Sequence, residues 1–191
     1  RSTQAKTLFP YTTLFRSFDG PSVESTAFRQ MWRLPHQGMS AEYRMLEHTI
    51  AGHDKFAMDT FTAMILHNLF GRFPKLRIGS IEMGCGWVEY LLKRLDHAGG
   101  LANRKITAFG QTLSDKPSEI FKRHVWVSPF PEEDVVGLAR TIGADRVLMG
   151  SDWPHLESIP VPKDYVNCLE GLSEADKIGI MGENAAALIA A

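Results

Sequence analysis

The stretch Arg146-Val147-Leu148-Met149-Gly150-Ser151-Asp152-Trp153-Pro154-His155 holds the residues best placed to do chemistry. A short apolar run leads to a carboxylate, and Pro154 then stops any regular continuation. Asp152 is thereby predicted at the carboxyl end of a buried strand, where α/β proteins gather their catalytic groups. A carboxylate there can ligate a metal, accept a proton, or do no more than cap the turn that follows. Two other predicted strands help to decide between these roles. Residues 76–83 form one, with Glu82 near its end and Gly84-Cys85-Gly86 closing it. Residues 124–128 form another, ended by Pro129. Side chains alternate with period two, so Asp152 goes with Leu148 and Gly150, Glu82 with Ser80 and Ile78, and Ser128 with Trp126. Glu82, Ser128 and Asp152 would then line one mouth, an arrangement harder to attribute to turn capping than a single aspartate.

Each neighbouring candidate has a plainer alternative. His155 follows the strand end and is placed to meet a substrate; otherwise it is a loop histidine satisfied by water or backbone. Trp153 could wall a substrate cleft. Glu82 is read as a substrate-facing carboxylate, against a buried partner for Arg94. His67 falls mid-helix and reads as packing. His48 and His53 lie on different helix faces and make no metal pair. His36 belongs to an unpatterned lead, His97 to a solvated helix end, and His124 to the start of its strand, away from the mouth. Trp87 reads as core. Cys85 has no adjacent group to activate it and reads as a small buried residue.

The elements that must position these residues follow from periodicity. Phe56, Phe61, Met64, Ile65, Leu69 and Phe70 recur at helical spacing after Asp54, a predicted N-cap, and Gly71 and Pro74 close that helix. Trp87, Val88, Leu91, Leu92 and Leu95 stripe a second helix, ended by Gly99-Gly100. Pro117 opens a third, running to about Arg123. Pro131-Glu132-Glu133-Asp134 opens a fourth with acids on its first turn, and Gly143 ends it. Residues 164–172 and 173–190 predict closing helices, the second started by Ser173 with Asp176 three positions on. Helices alternating with short strands predict a parallel sheet of βα units.

Composition narrows the class. The 191 residues make one domain's worth of chain, and 44% hydrophobic content is ample for a core. A net charge of −1 gives no electrostatic drive toward nucleic acid or an anionic membrane. No apolar run approaches the roughly 18 residues of a membrane span. Two cysteines without a CxxC pair, and no signal-peptide layout, predict a reduced, cytoplasmic protein.

Residues 7–17, Thr-Leu-Phe-Pro-Tyr-Thr-Thr-Leu-Phe-Arg-Ser, resemble the in-frame translation of a common sequencing adapter. Residues 1–17 are accordingly expected to be an adapter-derived artefact, residues 18–53 an irregular lead, and residues 54–191 the folded part.

Gly150-Ser151-Asp152-Trp153-Pro154-His155 resembles the last-strand motif of the amidohydrolase-related metal-dependent hydrolases, the group that includes the aminocarboxymuconate-semialdehyde decarboxylase-like enzymes. The resemblance extends through Leu69-Phe70-Gly71-Arg72-Phe73-Pro74-Lys75-Leu76-Arg77-Ile78 and Ile81-Glu82-Met83-Gly84-Cys85-Gly86-Trp87-Val88. It continues in Arg94-Leu95-Asp96, His124-Val125-Trp126-Val127-Ser128-Pro129 and Gly182-Glu183-Asn184-Ala185-Ala186, and so covers most of residues 54–190. It implies a (β/α)8 barrel, the TIM barrel, with the site at its carboxyl-end mouth. It also implies one divalent metal, zinc ahead of manganese, held by a His-x-His pair from the first strand, a later histidine and the last-strand aspartate. Asp152 would be that metal ligand and a proton acceptor for bound water. Glu82, Trp153 and His155 would face a small-molecule substrate, and the parent could be a homo-oligomer.

This sequence departs from that pattern in two places. It contains no His-x-His, and Glu82 stands where the sixth strand often ends in histidine. Its strands are accordingly taken as the sixth, seventh and eighth of the barrel, and the chain is expected to be the C-terminal part of a longer enzyme. The expected reaction is hydrolysis or decarboxylation of a small organic acid or ester. The alternative expectation is a non-catalytic fragment without histidine ligands, retaining no metal and leaving barrel edges open to aggregation.

Overall fold

The computed structural model describes residues 53–102, 113, 115–154 and 158–190. The chain divides into two compact units, Arg1–Phe56 and Ala57–Ala191. The adapter-like segment and, apart from His53, the lead lie outside the described residues, as do His36 and His48.

Helix α1 (His53–Leu66) buries Ala57, Phe61 and Ile65, one residue per turn on a single stripe. The single helix expected to reach Gly71 is in fact two. Asn68 adopts a left-handed conformation (φ 51°, ψ 40°) and separates α1 from the short α2 (Leu69–Arg72). Asparagine tolerates this region better than most residues because its short polar side chain can bond locally. Asp54 lies inside α1, not at its cap.

Helix α3 (Gly86–Ala102) buries Trp87, Val88, Leu91, Leu92 and Leu95, the stripe read from the sequence. It runs through Gly99-Gly100 instead of stopping there, since glycine lowers helix propensity without forbidding the conformation. Helix α4 (Pro117–His124) starts on proline, whose missing N–H costs nothing at that position. Asp96 of α3 joins the two helices, accepting from Ser118 N at 2.9 Å and Ser118 Oγ at 2.7 Å. Beneath them Phe61 stacks on Trp87 with centroids 5.3 Å apart, and Phe121 meets both rings edge-on. These aromatic pairs give this part of the core its shape.

Strands β1 (Ile78–Ser80) and β2 (Val125–Val127) pair in parallel, Ile78 with Val125, Gly79 with Trp126 and Ser80 with Val127. Val147 bridges Val127 in parallel, and Leu148 N donates to Val127 O at 2.9 Å. Three successive segments therefore run parallel and side by side, with helices between them, as expected of βα units.

The register corrects the face assignment. Ile78 and Ser80 share a face with Val125 and Val127, opposite Trp126. β1 also stops at Ser80, well before Met83, because residues 82 and 84 turn into left-handed conformations. Glu82 therefore reaches the end of the sheet through a turn and is not on a strand face.

Helix α5 (Val135–Ile142) begins after Asp134, whose carboxylate accepts from Gly137 N at 2.7 Å. Glu132 and Glu133 thus precede the helix and are not in its first turn. Residues 162–169 form a tight 3-10 helix where a regular helix over 164–172 was expected. Ser173 caps α6 (Glu174–Ile178), accepting from Asp176 N at 3.2 Å. A wide-turned segment, Gly179–Glu183, bends at Gly182 and leads to α7 (Asn184–Ile189). Asn184 Nδ2 donates to Ala144 O and Val147 O, both at 2.8 Å, and so anchors α7 to the third strand. Among the described residues no helix is long and apolar enough to cross a membrane.

Candidate functional site

The chain takes up unusual backbone beyond the carboxyl ends of β1 and of the third parallel segment. Among the described residues, three non-glycine residues have positive φ: Asn68, Glu82 at 57° and Asp152 at 55°. Two of these are the carboxylates picked out from the sequence. A Cβ in the left-handed region crowds the following carbonyl, and such conformations persist where the surroundings impose them, often at functional sites.

On the β1 side, Glu82 is exposed and makes no hydrogen bond or ion pair among the described residues, Arg94 included. The loop beyond it is held by Glu133, 47 and 48 residues further on. The Glu133 carboxylate accepts from Cys85 N at 2.8 and 2.9 Å, from Gly86 N at 3.0 Å and from Phe130 N at 2.7 Å. Gly86 opens α3, so this carboxylate also satisfies amides that a helix start leaves unbonded. Gly84, at φ 60°, is required there: a Cβ on it would lie 2.8 Å from Glu133 Oε1. Cys85 is buried within this loop, as expected.

On the β2 side, Ser128 is buried and its amide donates to Ser80 O at 2.9 Å. Gly150 of the third strand lies directly against it, where a Cβ would come within 2.3 Å of Ser128 Oγ and 3.0 Å of Pro129 O. The fully buried Tyr165 donates its hydroxyl to Pro129 O at 3.3 Å. Burial pushes its phenol well above the ordinary tyrosine value, and the nearby Cys168 acts in the same direction. Tyr165 thus supports the packed pair Pro129 and Gly150 that leads to Asp152.

Asp152 itself is half-buried. Trp153 is 62% exposed and joins Pro154 through a cis peptide. Ile159 N donates to Ser151 O at 3.0 Å and returns the chain to the strand end. His155 lies outside the described residues.

The opposite end of the sheet holds a cleft of about 720 Å3, lined by Phe70, Lys75, Arg77, Arg123 and His124 among others. His124, Arg77 and Arg123 in its lining are engaged in structure. His124 Nδ1 bonds Leu76 O at 2.8 Å while its ring stacks on Phe70, and Arg77 donates to Ala187 O and covers Trp126. Parallel βα sheets carry their chemistry at the other end. The cleft is large, but the Glu82–Ser128–Asp152 end is the candidate site.

Sequence reading missed Glu133 and Tyr165. Glu133 looked like an ordinary first-turn acid, and nothing along the chain marked Tyr165. Their importance comes from contacts with residues distant in sequence.

A zinc site takes four donors, at least three of them from the protein. The Asp152 carboxylate is a suitable oxygen donor, but no three His, Cys, Asp or Glu side chains cluster to hold a metal among the described residues. Those residues do not by themselves fit the metal.

The sequence profile described as amidohydrolase matches residues 27–190. Over 124 residues the chain is 30% identical to the γ-resorcylate decarboxylase of a Rhizobium species, covering 64% of this chain and 36% of that enzyme. An amidohydrolase from Mycobacterium avium subsp. paratuberculosis superposes with a TM-score of 0.69 at 34% identity, over 85% of this chain and 39% of its own. A dihydroxybenzoic acid decarboxylase from a Polaromonas species, solved with manganese and the inhibitor 2-nitroresorcinol, shares the fold. Its TM-score is 0.58 at 19% identity, over 92% of this chain and 57% of its own. The chain therefore spans less than two thirds of each of these relatives. Its strand order, its helices and the match over most of its length agree on one assignment: the chain belongs to the amidohydrolase family.

Proposed function

We propose that this chain is the C-terminal part, strands six to eight, of a metal-dependent amidohydrolase-family enzyme that decarboxylates a small organic acid, with hydrolysis of a related acid or ester as the alternative reaction. The observation that carries the reading is the pair of left-handed carboxylates, Glu82 and Asp152, beyond the carboxyl ends of the two parallel segments that flank β2. The γ-resorcylate decarboxylase relative supports decarboxylation and an aromatic acid as substrate.

In this reading a divalent metal, zinc or manganese, supplies Lewis-acid chemistry in the whole enzyme. Asp152 is the ligand and proton-accepting group that this chain contributes. The exposed Trp153 offers an aromatic face to a planar acid, and Glu82 accepts a hydrogen bond from a substrate hydroxyl; His155, two residues after Trp153 in the sequence, is the third residue assigned to substrate.

One observation favours a second reading for the chain alone: no three potential ligands come together among its described residues. On that reading the isolated chain is an inert partial barrel.

The test starts with the source gene. A complete upstream frame should encode a His-x-His pair on a first strand, and its absence would sink the enzyme reading. The full-length protein is then assayed for CO2 release from hydroxybenzoates. Asp152→Asn is expected to lower the rate by about two orders of magnitude or more. For the chain alone, stoichiometric zinc or manganese retained after dialysis would overturn the inert reading.

A further inference from the structure

We propose that Glu133 is a positioning residue: by clasping the β1 loop to the β2 loop it holds Glu82 in its left-handed conformation at the rim of the site. The inference rests on the reading of Glu82 as a rim carboxylate.

The geometry is specific. The tight turn Phe130–Glu133 closes through Glu133 N donating to Phe130 O at 3.1 Å. The Glu133 side chain folds back over that turn, takes Phe130 N, and uses the rest of its acceptor capacity on Cys85 N and Gly86 N. One carboxylate therefore joins the segments that leave β1 and β2, through three amides from two loops. Hydrogen bonds to an ionised acceptor are about twice as strong as neutral ones, and three on one group restrict its position closely.

The β1 loop spends only Ile81 to Gly84 between the strand and the first clasped amide. With Ser80 fixed in the sheet and Cys85 fixed by the carboxylate, few backbone paths connect the two. The observed path places both residue 82 and residue 84 at positive φ. Glycine occupies position 84, where it accepts this without steric cost; glutamate occupies position 82, where it does not. A non-glycine residue kept in that region needs something to impose it, and the clasp three residues away is the constraint observed.

The test is a double-mutant cycle in the full 191-residue chain. With Glu133 present, Glu82→Gly should raise the thermal midpoint by about 2–4 °C, because glycine adopts positive φ freely. With Glu133→Ala the loop is released, residue 82 can relax, and Glu82→Gly should give no gain or a small loss. Equal shifts in the two backgrounds would overturn the proposal. If Glu133→Ala does not fold, Glu133→Gln completes the cycle, since it keeps the length but turns an amide donor toward the backbone N–H groups.

Amide hydrogen exchange gives a second readout. Glu133→Ala should speed exchange at Cys85, Gly86 and Phe130 by about tenfold or more, leaving Ser128 and Leu148 in the sheet unchanged. Equal acceleration at all five would make Glu133 a general stabiliser and sink the positioning role. Neither measurement involves substrate or metal, so failure here is distinct from failure of the enzyme reading, which the upstream sequence and the Asp152→Asn assay decide.

Discussion

The turns that carry Glu82 and Asp152 present the same backbone anomaly, an acid at φ near +55°, but they are held in different ways. The Glu82 turn is tied by hydrogen bonds: Glu133 grips the amides just beyond it while Glu82 itself stays exposed. The approach to the Asp152 turn is held by packing. Gly150 lies against Ser128 and Pro129, with Tyr165 bonded behind them, and Asp152 is half-buried. A hydrogen-bonded loop can be loosened one bond at a time, whereas a packed one fails when a single methyl group is added. The acid whose approach is packed is the one read as the metal ligand, where small displacements would matter most.

Gly150→Ala should break the packed side most severely. Its Cβ would enter the space of Ser128 Oγ and approach the Pro129 carbonyl, at a cost of about 3 kcal/mol in chemical denaturation. Ser128→Gly should recover part of the loss, and no recovery would mean that the strain lies elsewhere.

Gly84→Ala tests the hydrogen-bonded side. Forcing a side chain into the left-handed region costs about 1–2 kcal/mol, to which the contact with Glu133 Oε1 adds. In a Glu133→Ala background both parts of the penalty should shrink, because the contact is gone and the released loop can relax; an unchanged penalty would show that the clasp contributes nothing to it.

Tyr165→Phe sharpens the contrast by taking one hydroxyl from behind the packed turn, at about 1 kcal/mol. The pH dependence has a definite sign. An unfolded tyrosine ionises near pH 10, whereas the buried phenol keeps its proton to higher pH, so above about pH 10 the folded state binds more protons. Its contribution is therefore complete below about pH 10 and declines above it, by up to about 1.4 kcal/mol per pH unit. Denaturation curves from pH 9 to 11 should show that decline in the parent and a shallower one in Tyr165→Phe.

Ser80→Ala should have the smallest effect and the opposite sign. The Ser80 hydroxyl is buried without a hydrogen-bond partner among the described residues. Removing it should leave stability unchanged or raise it by up to about 1 kcal/mol, and a clear loss would reveal a partner.

The stripe Trp87, Val88, Leu91, Leu92 and Leu95, the proline start of α4, the Ser173 cap and the parallel strand order were all legible along the chain. Each depends on residues a few positions apart, or on a period that the backbone repeats. The strand ends were not. β1 was expected to carry Glu82 on its face beside Ser80, but the sheet register and two left-handed residues place Glu82 in a turn. Sequence located Asp152 at a strand end and gave no sign of its conformation.

What the sequence by itself determined is the inventory: amphipathic helices, short parallel strands, and a carboxylate where each of two strands stops. Tertiary structure decided how those carboxylates are held. Glu133 reads as one acid among three in a row until the ends of β1 and β2 come together and place its oxygens on amides 47 and 48 residues away. Tyr165 gains its role in the same way, from a carbonyl 36 residues away. Local propensity is written in neighbouring residues, whereas a hydrogen bond between loops exists only once the sheet has set the distance between them.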